Sequence, residues 1–280
     1  MGERGPDRYS LEDLLRLMAC LRDPEFGCPW DLKQDFASIA PHTLEEVYEV
    51  IDAIERQDYR QLKGELGDLL FQIVFFARLG SEAGQFDFSD IVSAITGKLL
   101  HRHPHVFPDA TLQGFGQPAR ITADGVTASW ERIKSMERAQ SSNSQQPSQL
   151  DDVPLALPAL ARAAKLQKRA ATVGFDWREA APVIDKLKEE LAELCTAMQQ
   201  QQPQQISEEF GDLLFTMVNL GRHLKVDPEQ ALRSANSKFE QRFRSMELLI
   251  RAEDKDMGAL TADQLETFWQ LVKRDEGHSA

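Results

Sequence analysis

Glu65-Leu-Gly-Asp-Leu-Leu-Phe71 recurs as Glu209-Phe-Gly-Asp-Leu-Leu-Phe215, with one substitution in seven residues. The offset is 209 − 65 = 144, and it holds upstream without a gap: Glu46 and Glu49 become Glu190 and Glu193, and Asp68 becomes Asp212. Further along, Lys98 and Arg102 match Lys238 and Arg242, and Trp130-x-x-x-Lys134 matches Trp269-x-x-x-Lys273. Self-similarity on this scale means two copies of one structural unit. The unit reads as helical, because apolar residues recur every three or four positions and no stretch alternates long enough to build a sheet. The expected fold is all-α, a tandem repeat of a helical-bundle unit.

Working outward, Ser10 caps a first helix carrying Leu11, Leu14, Leu15 and Met18. The spacing predicts further helices from 41 or 43 to 54, from 59 to 79, from 89 or 90 to just before Pro104, and from 127 to 138. Residues 140–149 are polar, almost uncharged and without apolar anchors, which is the composition of a linker. Helices then resume over 158–171, 181–200 and 207–224, with the glutamine run 199–205 as the turn between the last two. Asp227-Pro228 opens the next, since proline suits the first helical position, and Thr261 with Gln264 forms a capping box for the last. The expected domains are 1–139, a linker 140–152, and 153–280.

The 280 residues carry 32 Lys+Arg against 45 Asp+Glu, a net charge of −13, with 42% hydrophobic and 28% charged positions. That is a globular composition, and its acidity argues against binding a nucleic-acid polymer, which needs a basic face. Neither a membrane-spanning run nor an export signal is seen. Cys20, Cys28 and Cys195 are odd in number and lack zinc-like or paired spacing, so a cytoplasmic location is expected and Cys28 reads as structural.

Within each half the acids read Glu-x-x-Glu, a turn, then Glu-x-x-Asp. Residues three apart share a helix face, so two antiparallel helices packed on those faces would converge four carboxylates. Four anions in one volume need a cation, and an all-oxygen set favours Mg²⁺, with Mn²⁺ as a substitute. A di-iron bundle would use Glu-x-x-His pairs; Asp68 and Asp212 stand where those histidines would be. Acidic pairs are common on solvated faces, and Thr43 with Glu46 also has the form of a capping box, but chance acidity does not place eight carboxylates in register. Gly67 and Gly211 cost helix propensity and would permit close approach of a ligand or helix. The Lys-x-x-x-Arg pairs would hold phosphates, and Trp130 and Trp269 would stack a base or fill a core. His101, His103 and His105 read as loop packing around Pro104 or as a transition-metal cluster.

These motifs, together with Cys28-Pro-Trp-Asp31, Arg102-His-Pro-His-Val-Phe107 and Val173-Gly-Phe-Asp-Trp177, resemble the two-repeat bacterial members of the MazG family over nearly the whole chain. The resemblance implies an all-α fold related to the all-α dUTPases and Mg²⁺-dependent hydrolysis of nucleoside triphosphates to the monophosphate and pyrophosphate. It implies Glu190, Glu193, Glu209 and Asp212 as metal ligands, with Glu46, Glu49, Glu65 and Asp68 as a second possible site. Lys186, Glu189, Glu208, Lys238, Arg242, Trp269 and Lys273 would line the nucleotide site. Glu189 or Glu193 would orient or deprotonate the water that attacks the α-phosphorus. The C-terminal half is expected to be the catalytic one, because Lys186 faces its acids where the N-terminal half has His42, mostly neutral at pH 7. Apolar helix faces on both sides point to a homodimer. The alternative is a non-catalytic helical scaffold that kept the repeat. Base preference is not legible in these motifs.

Overall fold

The computed structural model describes residues 8–116 and 148–277, together with positions 122, 125, 126, 129, 130, 132, 133 and 137. Most of the expected helix over 127–138, Lys134 included, and most of the expected linker lie outside the described residues. Among those described there are nine α-helices and no strand. These are α1 (Leu11–Leu21), α2 (Phe36–Glu55), α3 (Tyr59–Glu82), α4 (Phe88–Arg102), α5 (Ala159–Ala171), α6 (Ala180–Gln199), α7 (Pro203–His223), α8 (Pro228–Ala252) and α9 (Ala262–Gly277). The chain divides into two compact units, 1–141 and 142–280. None of the described helices is long and apolar enough to cross a membrane.

The caps set the helix starts. Ser10 Oγ accepts from the Asp13 amide at 3.2 Å while Asp13 Oδ2 accepts from the Ser10 amide at 2.8 Å. α2 opens five residues earlier than 41 because Asp35 and Ser38 cap each other, at 2.9 and 2.8 Å, and Pro41 is carried inside the helix. Thr43 therefore caps nothing: its hydroxyl donates to the Ile39 carbonyl at 3.2 Å in mid-helix. α7 likewise begins at Pro203 rather than at 207, since proline at the first position loses no helical hydrogen bond. The glutamine turn is thus only Gln200–Gln202.

The repeat is visible in the geometry. Shifting α2, 36–55, by 144 gives 180–199, the bounds of α6. Each hairpin turns on a glutamine with positive φ, Gln57 at 56° and Gln201 at 52°, again 144 apart. The α2–α3 and α6–α7 hairpins are the elements that carry the acids.

In the N-terminal unit Met18, Ile39, Val74, Phe75 and Leu79 form the core between α1, α2 and α3. Arg22, itself buried, lies with its guanidinium 5.4 Å from the Phe75 ring centre. It donates from Nε and Nη2 to Glu82 at 3.1 and 2.7 Å, and from Nη1 to the Gln34 carbonyl at 3.2 Å. Hydrogen bonding to Arg22 holds the Glu82 carboxyl below its ordinary range. Arg22→Met is expected to cost about 2 kcal/mol, because Glu82 keeps Arg78 as a partner. A group with a lowered folded pKa contributes stability above its unfolded pKa and loses it as pH falls through the folded value. The gap between wild type and variant in urea melts should therefore narrow below about pH 4, leaving the part that belongs to the Gln34 carbonyl and the Phe75 ring. In the C-terminal unit, Met246, Ile250, Phe268 and Val272 pack α8 against α9.

Candidate active site

Each carboxylate hairpin converges three glutamates. One oxygen from each of Glu190, Glu193 and Glu209 lies within 4.8 Å of the other two, and Glu46, Glu49 and Glu65 repeat the arrangement. Asp68 and Asp212, the expected fourth members, do not belong to these mutually close sets. They are still close enough to act as like charges on their neighbours. Burial raises the Glu209 carboxyl, and Glu193, Glu190, Asp212 and Glu208 raise it further. In the other unit burial, then Asp68, Glu65 and Glu45, push Glu46 up, opposed by a hydrogen bond from Gln72. Glu49 lies at an exposed position, yet local desolvation leads its upward shift, followed by Glu65 and Glu46. Oxygen donors at this spacing, with Glu46, Glu49 and Glu209 disfavoured as anions, are a crowding that a hard divalent cation would relieve.

The cations distinguish the halves. Lys186 Nζ lies 2.7 Å from Glu189 Oε1 and 2.8 Å from Glu190 Oε1, and hydrogen bonds to Glu189 and then Glu190 hold the ammonium above its ordinary value. Glu190 is buried, with only 5% of its surface exposed. At the matching place His42 Nδ1 reaches only Glu45 Oε2, at 3.9 Å, and packs edge-on to Trp30. Arg102 pairs with Glu137, and Arg242, its counterpart, also has a polar or electrostatic partner, so this position does not separate the halves.

Other expected site residues are held elsewhere. Lys238, Arg242, Trp269 and Lys273 belong to the α8–α9 hairpin, and Lys238, Trp269 and Lys273 make no hydrogen bond or ion pair to the carboxylates. Trp269 packs on Phe239, ring centres 5.4 Å apart, and against the Met246–Ile250 core, which favours the core reading over the stacking one. Glu208 is exposed beside Glu209. A side chain at Gly67 or Gly211 would meet nothing within 4 Å, so no neighbouring helix requires either glycine. His103 Nδ1 donates to the Leu99 carbonyl, 2.6 Å away, and its ring packs against His105 and Trp130, so these two histidines are packed at the loop around Pro104, while His101 lies in the last turn of α4. All three cysteines are free thiols.

The carboxylate motifs miss the buried polar residue behind them, Gln72 on α3 and Thr216 on α7, both 7% exposed. They lie four residues past Asp68 and Asp212, on the face of the ligand stripe. A polar residue at a position where the helix face should turn apolar is the signal that could have found them.

Comparison with known proteins agrees with this geometry. The family described as MazG nucleotide pyrophosphohydrolase domain matches residues 34–107 and 179–246, one match over each hairpin. A protein of Escherichia coli (strain K12) named nucleoside triphosphate pyrophosphohydrolase is 51% identical over 268 residues, covering 95% of this chain and 98% of its own. One from Thermotoga maritima named nucleoside triphosphate pyrophosphohydrolase/pyrophosphatase MazG is 40% identical over 262 residues, covering 94% and 95%.

Proposed function

Since the chain belongs to the MazG nucleotide pyrophosphohydrolase family, we propose that it hydrolyses nucleoside triphosphates to the monophosphate and pyrophosphate, with its C-terminal half as the catalytic one. The observation that carries the choice of half is Lys186, a cation set 2.8 Å from the buried Glu190 where the other unit offers His42.

Glu190, Glu193 and Glu209 would hold a divalent cation, Mg²⁺ or Mn²⁺, with Asp212 one turn along α7 as the further ligand. When bound, that cation would supply positive charge to the phosphate oxygens and acidify water. The remaining work belongs to side chains. Glu189 stands outside the three-carboxylate set while its Oε1 is held by Lys186, so it is the better placed of Glu189 and Glu193 to orient the attacking water and accept its proton. Lys186, Lys238, Arg242 and Lys273 would meet charge developing on the phosphates as pyrophosphate leaves. A nucleotide bridging the two hairpins would bring the α8–α9 cations to the acids. A housekeeping role on the nucleotide pool, a cytoplasmic location and a homodimer belong to the same reading.

The test is product analysis with Mg²⁺ and a panel of NTPs and dNTPs in ¹⁸O water. Pyrophosphate and a labelled monophosphate are expected. Label in the pyrophosphate would place attack at the β-phosphorus, and orthophosphate with a diphosphate would overturn the assignment. Tight nucleotide binding without turnover would favour the scaffold alternative.

A further inference from the structure

Lys186 holds two carboxylates at once, and the two are not alike. Its Nζ lies 2.7 Å from Glu189 Oε1 and 2.8 Å from Glu190 Oε1, partners three and four residues along the same face of α6. The Glu189 side chain is 57% exposed, and water screens that pair. The Glu190 side chain is 6% exposed and belongs to the three-carboxylate set with Glu193 and Glu209. Charge is poorly screened there. The ammonium thus stands on a carboxylate that the proposed divalent cation needs.

The repeat supplies a control. Position 186 − 144 = 42 is His42, whose ring reaches Glu45 at 3.9 Å and lies outside the acid set. The groups that meet the N-terminal set are neutral amides. Gln61 Nε2 donates to Glu65 Oε1 at 3.0 Å, and Gln72 hydrogen-bonds Glu46. Burial and neighbouring acids accordingly leave Glu46 and Glu49 raised. One copy of the set therefore carries its own cation, and the other copy is open.

We infer that Lys186 is a built-in gate on the C-terminal cation site: a divalent ion must shift it from Glu190, and Glu189 then keeps it at hand for the phosphates. The inference rests on the pyrophosphohydrolase reading above. A lysine ammonium is a point charge on a flexible stem, with three rotatable donors. While both glutamates hold it, an arriving cation meets repulsion and finds the Glu190 carboxylate engaged. Once shifted, the ammonium retains Glu189 and has donors free for a polyanion. A triphosphate favours that shifted position, so ion and nucleotide raise each other's affinity, and by linkage they do so equally. The N-terminal set requires no displacement. Without nucleotide, the half that lacks the lysine is the tighter ion site.

The experiment titrates Mn²⁺ into the full chain at about pH 8, where His42 is neutral, and reads the free ion by electron paramagnetic resonance. Glu46→Gln isolates the C-terminal set, and Glu190→Gln the N-terminal one. In the Glu46→Gln background, Lys186→Met is expected to tighten Mn²⁺ about tenfold without nucleotide, and Lys186→Arg to leave it near the starting value. A non-hydrolysable α,β-methylene triphosphate should tighten Mn²⁺ at the C-terminal set, and do so less in Lys186→Met. A second measurement needs no variant. Acetylation of the Lys186 amine, followed by peptide mass spectrometry, should speed up with Mg²⁺ and slow again when the analogue is added. Thermal melts establish that the variants fold. Unchanged Mn²⁺ affinity in folded Lys186→Met, or acetylation indifferent to Mg²⁺, overturns the gate. Both responses as expected, without pyrophosphate release from any nucleotide, overturn the activity instead and leave the gate standing.

Discussion

Glu190→Gln is expected to lower pyrophosphate release about a thousandfold, and Glu46→Gln to leave it within about twofold. The two residues are repeat equivalents, each sharing a three-oxygen set with two further glutamates, so the contrast isolates the surroundings. Glu190 is the buried member of its set and carries Lys186 at 2.8 Å. Neutralising it withdraws one cation ligand and leaves Lys186 with Glu189, 2.7 Å away, as its remaining carboxylate partner, a displaced charge where the phosphates should meet a fixed one. Glu46 is less buried, shares a hydrogen bond with Gln72, and has no ammonium beside it. The substitution is isosteric and relieves like-charge crowding on Glu209, so Glu190→Gln should melt no lower than wild type in chelator. A loss of turnover with retained stability assigns the effect to chemistry. Equal losses of turnover at both positions would sink the assignment to the C-terminal half.

How far the chain could be read in advance depends on what each residue answers to. Asp227 caps its helix as expected, Asp58 caps the one expected from 59, and Asp87 caps α4 ahead of the expected opening at 89 or 90, because a cap is a local contest that flanking residues decide. α2 starts ahead of 41 for the same local reason: Asp35 with Ser38 outranks Pro41 as the opening, and Pro41 inside the helix costs it one hydrogen bond. The glutamates were legible because a spacing of three fixes a face and the hairpin fixes which faces meet. Asp68 and Asp212 fall outside the tight set because a fourth oxygen answers to side-chain rotamers rather than to spacing. The α8–α9 cations share a helix face in the sequence, but which hairpin they face depends on non-local packing that no periodicity encodes.

Withdrawing divalent metal is expected to abolish turnover and to lower the melting temperature more at about pH 7.5 than at about pH 5. Glu46, Glu49 and Glu209 are all shifted upward in the absence of a cation. A carboxyl whose folded pKa exceeds its unfolded value binds its proton more tightly when folded. It contributes stability below the unfolded pKa and loses that contribution as pH rises through the folded one. At neutral pH the metal-free hairpins therefore hold crowded anions, and a cation that binds only the folded chain restores stability by mass action. At low pH protons already occupy part of the site and compete with the metal. Carboxyls with lowered values, Asp35 and Glu82 among them, oppose this trend in any single melt. The quantity to follow is accordingly the shift between Mg²⁺ and chelator at each pH, from which metal-indifferent groups cancel. Glu190→Gln and Glu46→Gln then apportion the shift between the hairpins. A shift of the same size at both pH values, or turnover that survives chelation, would mean that the excess acid behind the net charge of −13 is surface solvation and not a metal site.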